Sequence, residues 1–455
     1  MTDRLPSGAA GIDAVLGGGL PLHGITLLIG RPGTGKTILA QQYLFHNATD
    51  ARPGLYLSTV SEPLEKILRY GQALTYFDPA ALGHRVSYDD LGQTLNEDGL
   101  PGVLTRITHL LQQRRPAVVV IDSFKALRAY QRDEGDFRRF LHHLAGVLSA
   151  MPVTSFWVGE YDADSASEAP EFAVADAILS LSTDRTAERE IRVLQVLKLR
   201  GSGYRTGKHA YRLSPRGLEV FPRLADPVDQ TDYGVLPERM SSGVAALDTM
   251  LRDGYWRGAS TMVAGPSGIG KTLLALHFVF AGVSRGEPGV IATLQENPVQ
   301  LERILHGFGW SRNDPGIELM YRSPVDLHLD EWVHDLLDTV HRTGATRVAI
   351  DSLGDLRAAS RDELRFREYV YSLMQRCARD NISVIMTQEV PDLFGVTQLS
   401  EYGISHLSDN VVLLQFLRGE SELKRAITVL KTRGSGHDQR VRQFNITADG
   451  VVVAD

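Results

Sequence analysis

One eight-residue pattern occurs twice in this chain, and it fixes what each half must build. Gly30 to Thr37 reads GRPGTGKT, and Gly265 to Thr272 reads GPSGIGKT. Both fit G-x-x-x-x-G-K-[ST], a loop whose successive backbone N–H groups turn inward on an anion. The first loop is Gly30, Arg31, Pro32, Gly33, Thr34, Gly35, Lys36 and Thr37. The second is Gly265, Pro266, Ser267, Gly268, Ile269, Gly270, Lys271 and Thr272. Lys36 and Lys271 each carry an ammonium to the β- and γ-phosphates of a nucleotide, and Thr37 and Thr272 each offer a hydroxyl to Mg2+. The apolar runs ITLLIG and STMVAG precede the loops, and the helical patterns ILAQQYLFHNA and LLALHFVFAGV follow them. Strand, glycine-rich loop and helix therefore come in order in both copies, and that helix aims its positive end at the same anion.

The repeat extends well beyond these loops. RLPSGAAGIDAVLGGGLPLHG (Arg4 to Gly24) matches RMSSGVAALDTMLRDGYWRG (Arg239 to Gly258), with Asp13 and Asp248 in equivalent places. GLYLSTVSEP matches GVIATLQENP, PAVVVIDSFKALR matches TRVAIDSLGDLR, and VLKLRGSG matches VLKTRGSG. The chain reads as a tandem duplication: a first domain over residues 1–224, a linker over 225–237 and a second domain over 238–455. The linker lies in PRLADPVDQTDYGVLPE, which is rich in Pro and Asp and has no periodicity. Within each half, short Val/Ile/Leu strands alternate with longer amphipathic segments, which predicts an α/β fold with a mainly parallel sheet flanked by helices. Nucleotide then sits at the carboxyl ends of the strands. The acidic stretch YDADSASEAP (Tyr161 to Pro170) reads as a mobile surface loop.

Three further groups accompany each loop. VVVID and VAID are apolar strands ending in Asp122 and Asp351, carboxylates suited to holding Mg2+ through water. Ser123 and Ser352 follow them, either as caps or as partners near the phosphate. Glu62 and Glu296 end the strand after the loop helix, 26 and 25 residues beyond Lys36 and Lys271; they are the candidates for positioning or deprotonating an attacking water. Lys198 and Arg200, and likewise Lys431 and Arg433, form K-x-R pairs with both cations on one strand face. Such a pair is either a phosphate sensor or a solvated basic edge.

Composition narrows the function. The formal charge is −7, from 48 basic and 55 acidic residues, which argues against nucleic acid as a partner. Cys377 is the one cysteine; it allows no intrachain disulfide, fits a reducing cytosol and reads as buried packing. No apolar run approaches the ~20 residues of a membrane helix, and the first residues lack the apolar core of a signal peptide. A cytoplasmic location with no membrane partner is expected.

At these motifs the chain resembles the KaiC family of RecA-like ATPases over nearly its whole length. The resemblance rests on the S-G-x-x-x-x-D segment, both Walker A loops, both Walker B strands and both K-x-R-G strands. It implies two tandem RecA-like domains, ATP and Mg2+ as ligands, and a homo-hexameric double ring with ATP between subunits. Lys198, Arg200, Lys431 and Arg433 then reach nucleotide across the interface, and Phe308 lies beside the adenine of the second site. The family has two adjacent glutamates after the loop helix, where this chain has Ser61-Glu62 and Gln295-Glu296. Loss of the first glutamate in both halves implies slow hydrolysis, or binding without turnover. Where the clock member autophosphorylates on an adjacent Ser-Thr pair, this chain has Ser405-His406, so Ser405 is a phosphorylation candidate. The chain stops at Asp455, soon after its last strand, and is expected to lack the tail that meets the clock activator. A signalling or scaffold role with an unknown regulatory protein is therefore expected. The alternatives are a RecA-like recombinase or helicase, an ATP-gated scaffold and an autokinase.

Overall fold

The computed structural model describes residues 3–59, 64–162, 169–186, 189–224, 237–325, 327–360, 363–392, 406–419 and 422–454. The chain folds as two compact units, Met1–Arg223 and Leu224–Asp455.

The sheet of the first unit comprises β1 (Ile25–Gly30), β2 (Gly54–Ser58), β3 (Val86–Asp90), β4 (Val118–Asp122), β5 (Thr154–Gly159), β6 (Ala177–Thr186), β7 (Arg189–Leu199), β8 (Lys208–Ser214) and β9 (Gly217–Phe221). The strand order is β9-β8-β7-β6-β1-β5-β4-β2-β3. From β6 to β3 every pairing is parallel, and β7, β8 and β9 continue the sheet antiparallel. The main helices are α1 (Lys36–Asn47), α2 (Leu64–Gly71), α3 (Gly92–Arg114) and α4 (Glu134–Ser149).

The apolar runs form this sheet because both of its faces are covered. In β4, Val118 and Val120 join one core cluster, while Val119 and Ile121 join the other. Side chains alternate along a strand, so a run of four apolar residues serves two layers. Tyr43 and Leu44 of α1 pack on the first face, and Phe137, Leu141 and Leu144 of α4 on the second. Burying each such Leu or Phe side chain stabilises by about 1.5–3 kcal/mol. Trp157 stacks on Phe124 with ring centroids 4.1 Å apart, which ties β5 to the turn after β4.

The second unit repeats the plan with β10 (Ser260–Gly265), β11 (Gly289–Thr293), β12 (Ile317–Tyr321), β13 (Arg347–Asp351), β14 (Ser383–Glu389), β15 (Asn410–Arg418), β16 (Leu423–Thr432), β17 (Arg442–Thr447) and β18 (Gly450–Val453). Its order is β12-β11-β13-β14-β10-β15-β16-β17-β18. The main helices are α5 (Lys271–Val283), α6 (Pro298–Gly307), α7 (Leu329–Thr343) and α8 (Glu363–Arg379). Cys377 is buried in α8, and burial pushes its thiol up to about 12. Where the first unit has Val118, the same register position holds Arg347. Its guanidinium is fully buried, bonding the Glu287 carboxylate at 2.8 Å and the carbonyls of Ser241 and Phe278 at 2.8 and 2.7 Å.

The leading S-G-x-x-x-x-D segments are structural. The Asp13 carboxylate accepts the Ser7 N–H at 2.8 Å, and the Asp248 carboxylate accepts the Ser242 N–H at 2.7 Å. The acidic stretch is anchored at its first residue. Tyr161 is buried, and its hydroxyl donates to the buried Glu171 carboxylate. Residues 163–168 lie outside the described residues.

Each loop helix also carries a side chain that caps the last strand of its unit. In the first, Gln42 Oε1 accepts the Leu218 N–H at 2.9 Å; in the second, His277 Nε2 accepts the Val451 N–H at 3.1 Å. The approach is close enough that a Cβ on Gly450, at φ +101°, would lie 2.1 Å from His277 Nε2. Burial pulls the His277 imidazole down to about 4, against an ordinary value near ~6.5. Between those values the unfolded chain binds a proton that the native imidazole refuses, so native stability falls as pH drops through that window. Denaturation of the second unit followed from pH 7 to 4 is expected to show this loss. His277→Gln should remove the corresponding uptake of about one proton, because the neutral amide already serves in the first unit.

Candidate nucleotide site

The loop between β1 and α1 is shaped by glycines. Gly35 caps α1 at φ 89°, and Gly270 caps α5 at φ 117°, left-handed conformations that strain other residues. Neither cap position supplies a side-chain hydrogen bond to its helix, so the first turn faces the loop without an internal oxygen partner there. Lys36 Nζ donates to the Arg31 carbonyl at 2.9 Å, and Lys271 Nζ donates to the Pro266 carbonyl at 2.9 Å. Each ammonium thus lies across its own loop. Burial holds both below the ordinary lysine range; Glu160 and Asp122 oppose this for Lys36, and Glu389 and Asp351 for Lys271. A half-desolvated cation inside a loop with open space beside Gly33 and Gly268 fits an anionic phosphate.

The two residue types proposed for the metal meet directly. Thr37 Oγ1 donates to Asp122 Oδ2 at 2.7 Å, and Thr272 Oγ1 donates to Asp351 Oδ2 at 2.7 Å. Two oxygens of this kind at a phosphate loop fit a hard octahedral cation such as Mg2+, which keeps several waters and takes few protein ligands. Further hydroxyls steady the carboxylates: Tyr56 donates to Asp122 at 2.7 Å, and Thr387 donates to Asp351. The peptide bonds Asp122–Ser123 and Asp351–Ser352 are both cis. Neither Ser123 nor Ser352 caps the following helix through its side chain. Ser352 Oγ instead donates to Asp355 at 2.6 Å and accepts from Gln295 Nε2 at 3.2 Å.

In the first unit these groups line a cavity of 840 Å3. Its lining combines the charged and polar side chains of Lys36, Thr37, Asp122, Lys125 and Glu160 with the apolar ones of Ile38, Ile67, Tyr70 and Leu74. A lining of both kinds suits a nucleotide, which joins charged phosphates to an apolar base face. The motifs marked only part of this lining. Tyr70, Lys125 and Glu160 carry no motif signal, although Glu160 shares its register with Glu389: Gly159 lies opposite Ile29 and Gln388 opposite Ala264.

Of the other expected site residues, Glu62 and Ser405 are outside the described residues. Glu296 is half-buried at the entrance to α6, its N–H bonded to Thr293 Oγ1 at 3.2 Å. Phe308 ends α6 and packs on Trp310, centroids 5.5 Å apart. The K-x-R cations sit at the far end of the sheet from their own loops. Lys198 lies opposite Ile178, which pairs with Leu27 in mid-β1, and the Arg200 N–H bonds the carbonyl of Asp176, whose own N–H bonds Ile25 at the start of β1. Since β1 spans six residues, its two ends are about 16 Å apart. Strands β7 and β16 end just before the arginines, so the pairs are not wholly on a strand. Lys198 Nζ donates to the Phe172 and Ala173 carbonyls, and Arg200 pairs with Asp176 at 3.3 Å. Lys431 Nζ donates to the Ser408 carbonyl at 2.6 Å, and Arg433 NH2 donates to the His406 carbonyl at 2.7 Å. Burial and the neighbouring arginine hold both lysines below their ordinary range.

The family model described as "ATPase: KaiC" matches the chain twice, over residues 5–225 and 240–455. The chain belongs to the KaiC family. Its relatives include the "Circadian clock protein KaiC3" of Synechocystis, 28% identical over 99% of this chain and 91% of that protein. The "Circadian clock oscillator protein KaiC" of Prochlorococcus marinus subsp. pastoris is 29% identical over 100% of this chain and 91% of that protein. The protein of the same name from Thermostichus vulcanus is 29% identical over 99% and 89%. Membership in this ATPase family agrees with a KaiC-like ATP-binding protein of two tandem α/β domains. Among the described residues no helix is long and apolar enough to cross a membrane.

The Thr37–Asp122 pair makes a direct prediction for ligand binding. Asp122→Asn, in a chain whose second loop carries Lys271→Ala, is expected to retain ATP binding in EDTA. It should lose the affinity gained on adding Mg2+, a factor of about ten or more, as measured by titration calorimetry with and without the metal.

Proposed function

We propose that this protein is a slow, Mg2+-dependent ATPase whose subunits assemble as a ring with ATP between them, acting in the cytoplasm as a nucleotide-dependent signalling or scaffold protein. The observation that carries this reading is the duplicated lysine, threonine and aspartate set, with the hydroxyl–carboxylate bond at 2.7 Å in both units. On this reading the loop lysines bind the β- and γ-phosphates, and Thr37 with Asp122, and Thr272 with Asp351, hold Mg2+. The metal, when bound, neutralises charge on the phosphate oxygens.

Two further observations support the finer parts. Lys198, Arg200, Lys431 and Arg433 sit at the end of the sheet away from their own loops, so a role on phosphate requires the loop of another subunit. That geometry favours an assembly, and the family resemblance supports a hexamer as its form. Gln295, at the place of the family's first glutamate, turns its amide toward Ser352 beside Asp351. An amide orients a water but cannot take its proton, which accounts for slow turnover. Glu62 and Glu296 remain the proposed carboxylates for that step. Autophosphorylation at Ser405 is a separate proposal that intact-mass spectra after incubation with Mg-ATP decide.

Light scattering with and without Mg-ATP tests the assembly, with phosphate release followed in the same samples. A ring of about six subunits with slow release is expected. Gln295→Glu in a Lys36→Ala background should raise release at the second site by about 10²-fold. A monomer under every condition would overturn the interface role of Arg200 and Arg433.

A further inference from the structure

We propose that Lys125 gives the first unit a second cation for the terminal phosphate of its nucleotide, and that the second unit lacks this cation. The inference rests on the ATP reading above and adds a difference between the two sites.

The aligned segments PAVVVIDSFKALR and TRVAIDSLGDLR set Asp122 against Asp351, and therefore Lys125 against Gly354. Lys125 stands in the short turn Phe124–Tyr130 that follows β4, and it lines the cavity together with Lys36, Thr37, Asp122 and Glu160. Its side chain is positioned. Nζ donates to the Glu160 backbone carbonyl and lies 5.1 Å from the centre of the Tyr161 ring. Tyr161 is itself fixed. It is 5% exposed, its hydroxyl donates to the Glu171 carboxylate, and Phe172 meets it edge-on at 5.4 Å. Glu171 is fully buried. The second unit has neither part of this support, because strand register sets Tyr161 against Val390 and Lys125 has become glycine.

An ammonium has three donors, and the Glu160 carbonyl takes one. The other donors belong to an exposed side chain that lines the same cavity as Lys36. A triphosphate brings more negative charge to that end than a diphosphate, and Coulomb attraction scales with the charge product. Lys125 therefore strengthens ATP binding more than ADP binding at the first site. A lysine that served only as a strut between the turn and the Glu160 loop would affect both nucleotides equally.

The experiment is titration calorimetry of ATP and of ADP, each with Mg2+, on the full chain carrying Lys271→Ala to silence the second loop. Lys125→Met keeps the alkyl stem and removes the charge; Lys125→Arg keeps the charge. Lys125→Met should weaken ATP about tenfold and ADP by less than about twofold, the size expected for one charge-assisted contact. Lys125→Arg should keep the ATP-to-ADP affinity ratio. Equal weakening of both nucleotides, or no change in either, overturns the role of Lys125 while leaving the ATP site intact. Failure of the Lys271→Ala chain to bind either nucleotide overturns the ATP reading and this inference together.

Discussion

The bond between a threonine hydroxyl and an aspartate carboxylate holds each site together, and much of the fold exists to make it. Asp122 ends β4 and Thr37 follows β1, with β5 lying between those strands. Neighbouring strands are about 4.8 Å apart, so the two residues begin some 10 Å apart across the sheet. The glycine loop and the first turn of α1 close that gap, and they do so only because Gly35 adopts a left-handed conformation. The same closure recurs in the second unit through Gly270. The parallel sheet, the buried strands and the helix pressed on one face all serve to hold two strand ends at fixed separation.

Much of this was legible in the sequence. The phosphate loops, the strands ending in Asp122 and Asp351, and the alternation that makes an α/β fold are local patterns, and local patterns survive in the chain as spacing. The apolar part of the cavity lining was not legible. Ile67 and Tyr70 come from the helix Leu64–Gly71 and Leu74 from the turn after it; their approach to the loop is set by packing, and such residues look like any amphipathic stretch. The same holds for Lys125 and Glu160, which meet only because β4 and β5 are neighbours. The K-x-R pairs show the reverse: a basic pair was easy to see, but only strand direction reveals that it points away from its own loop.

The two units share a backbone plan and the phosphate-loop residues, but they differ in the positions around them. Gln42 and His277 cap equivalent strand ends, one with a neutral amide and one with a titrating ring. Val118 and Arg347 occupy one register position, the first packed in an apolar layer, the second a buried cation matched by Glu287. Lys125 and Tyr161 of the first unit correspond to Gly354 and Val390 of the second. Duplication preserved what the phosphate loop requires, namely the glycines, the lysine, the threonine and the aspartate. It left the surrounding positions free to diverge, and the differences at Gln42/His277, Val118/Arg347 and Lys125/Gly354 lie there.

If both loops work, each chain binds two nucleotides. Counting the ATP bound per chain at saturation, in Mg2+ and with each loop lysine replaced in turn, decides this. Two equivalents for the unaltered chain, one for Lys36→Ala or Lys271→Ala and none for the double variant are predicted. One equivalent or none for the unaltered chain would contradict a pair of working sites.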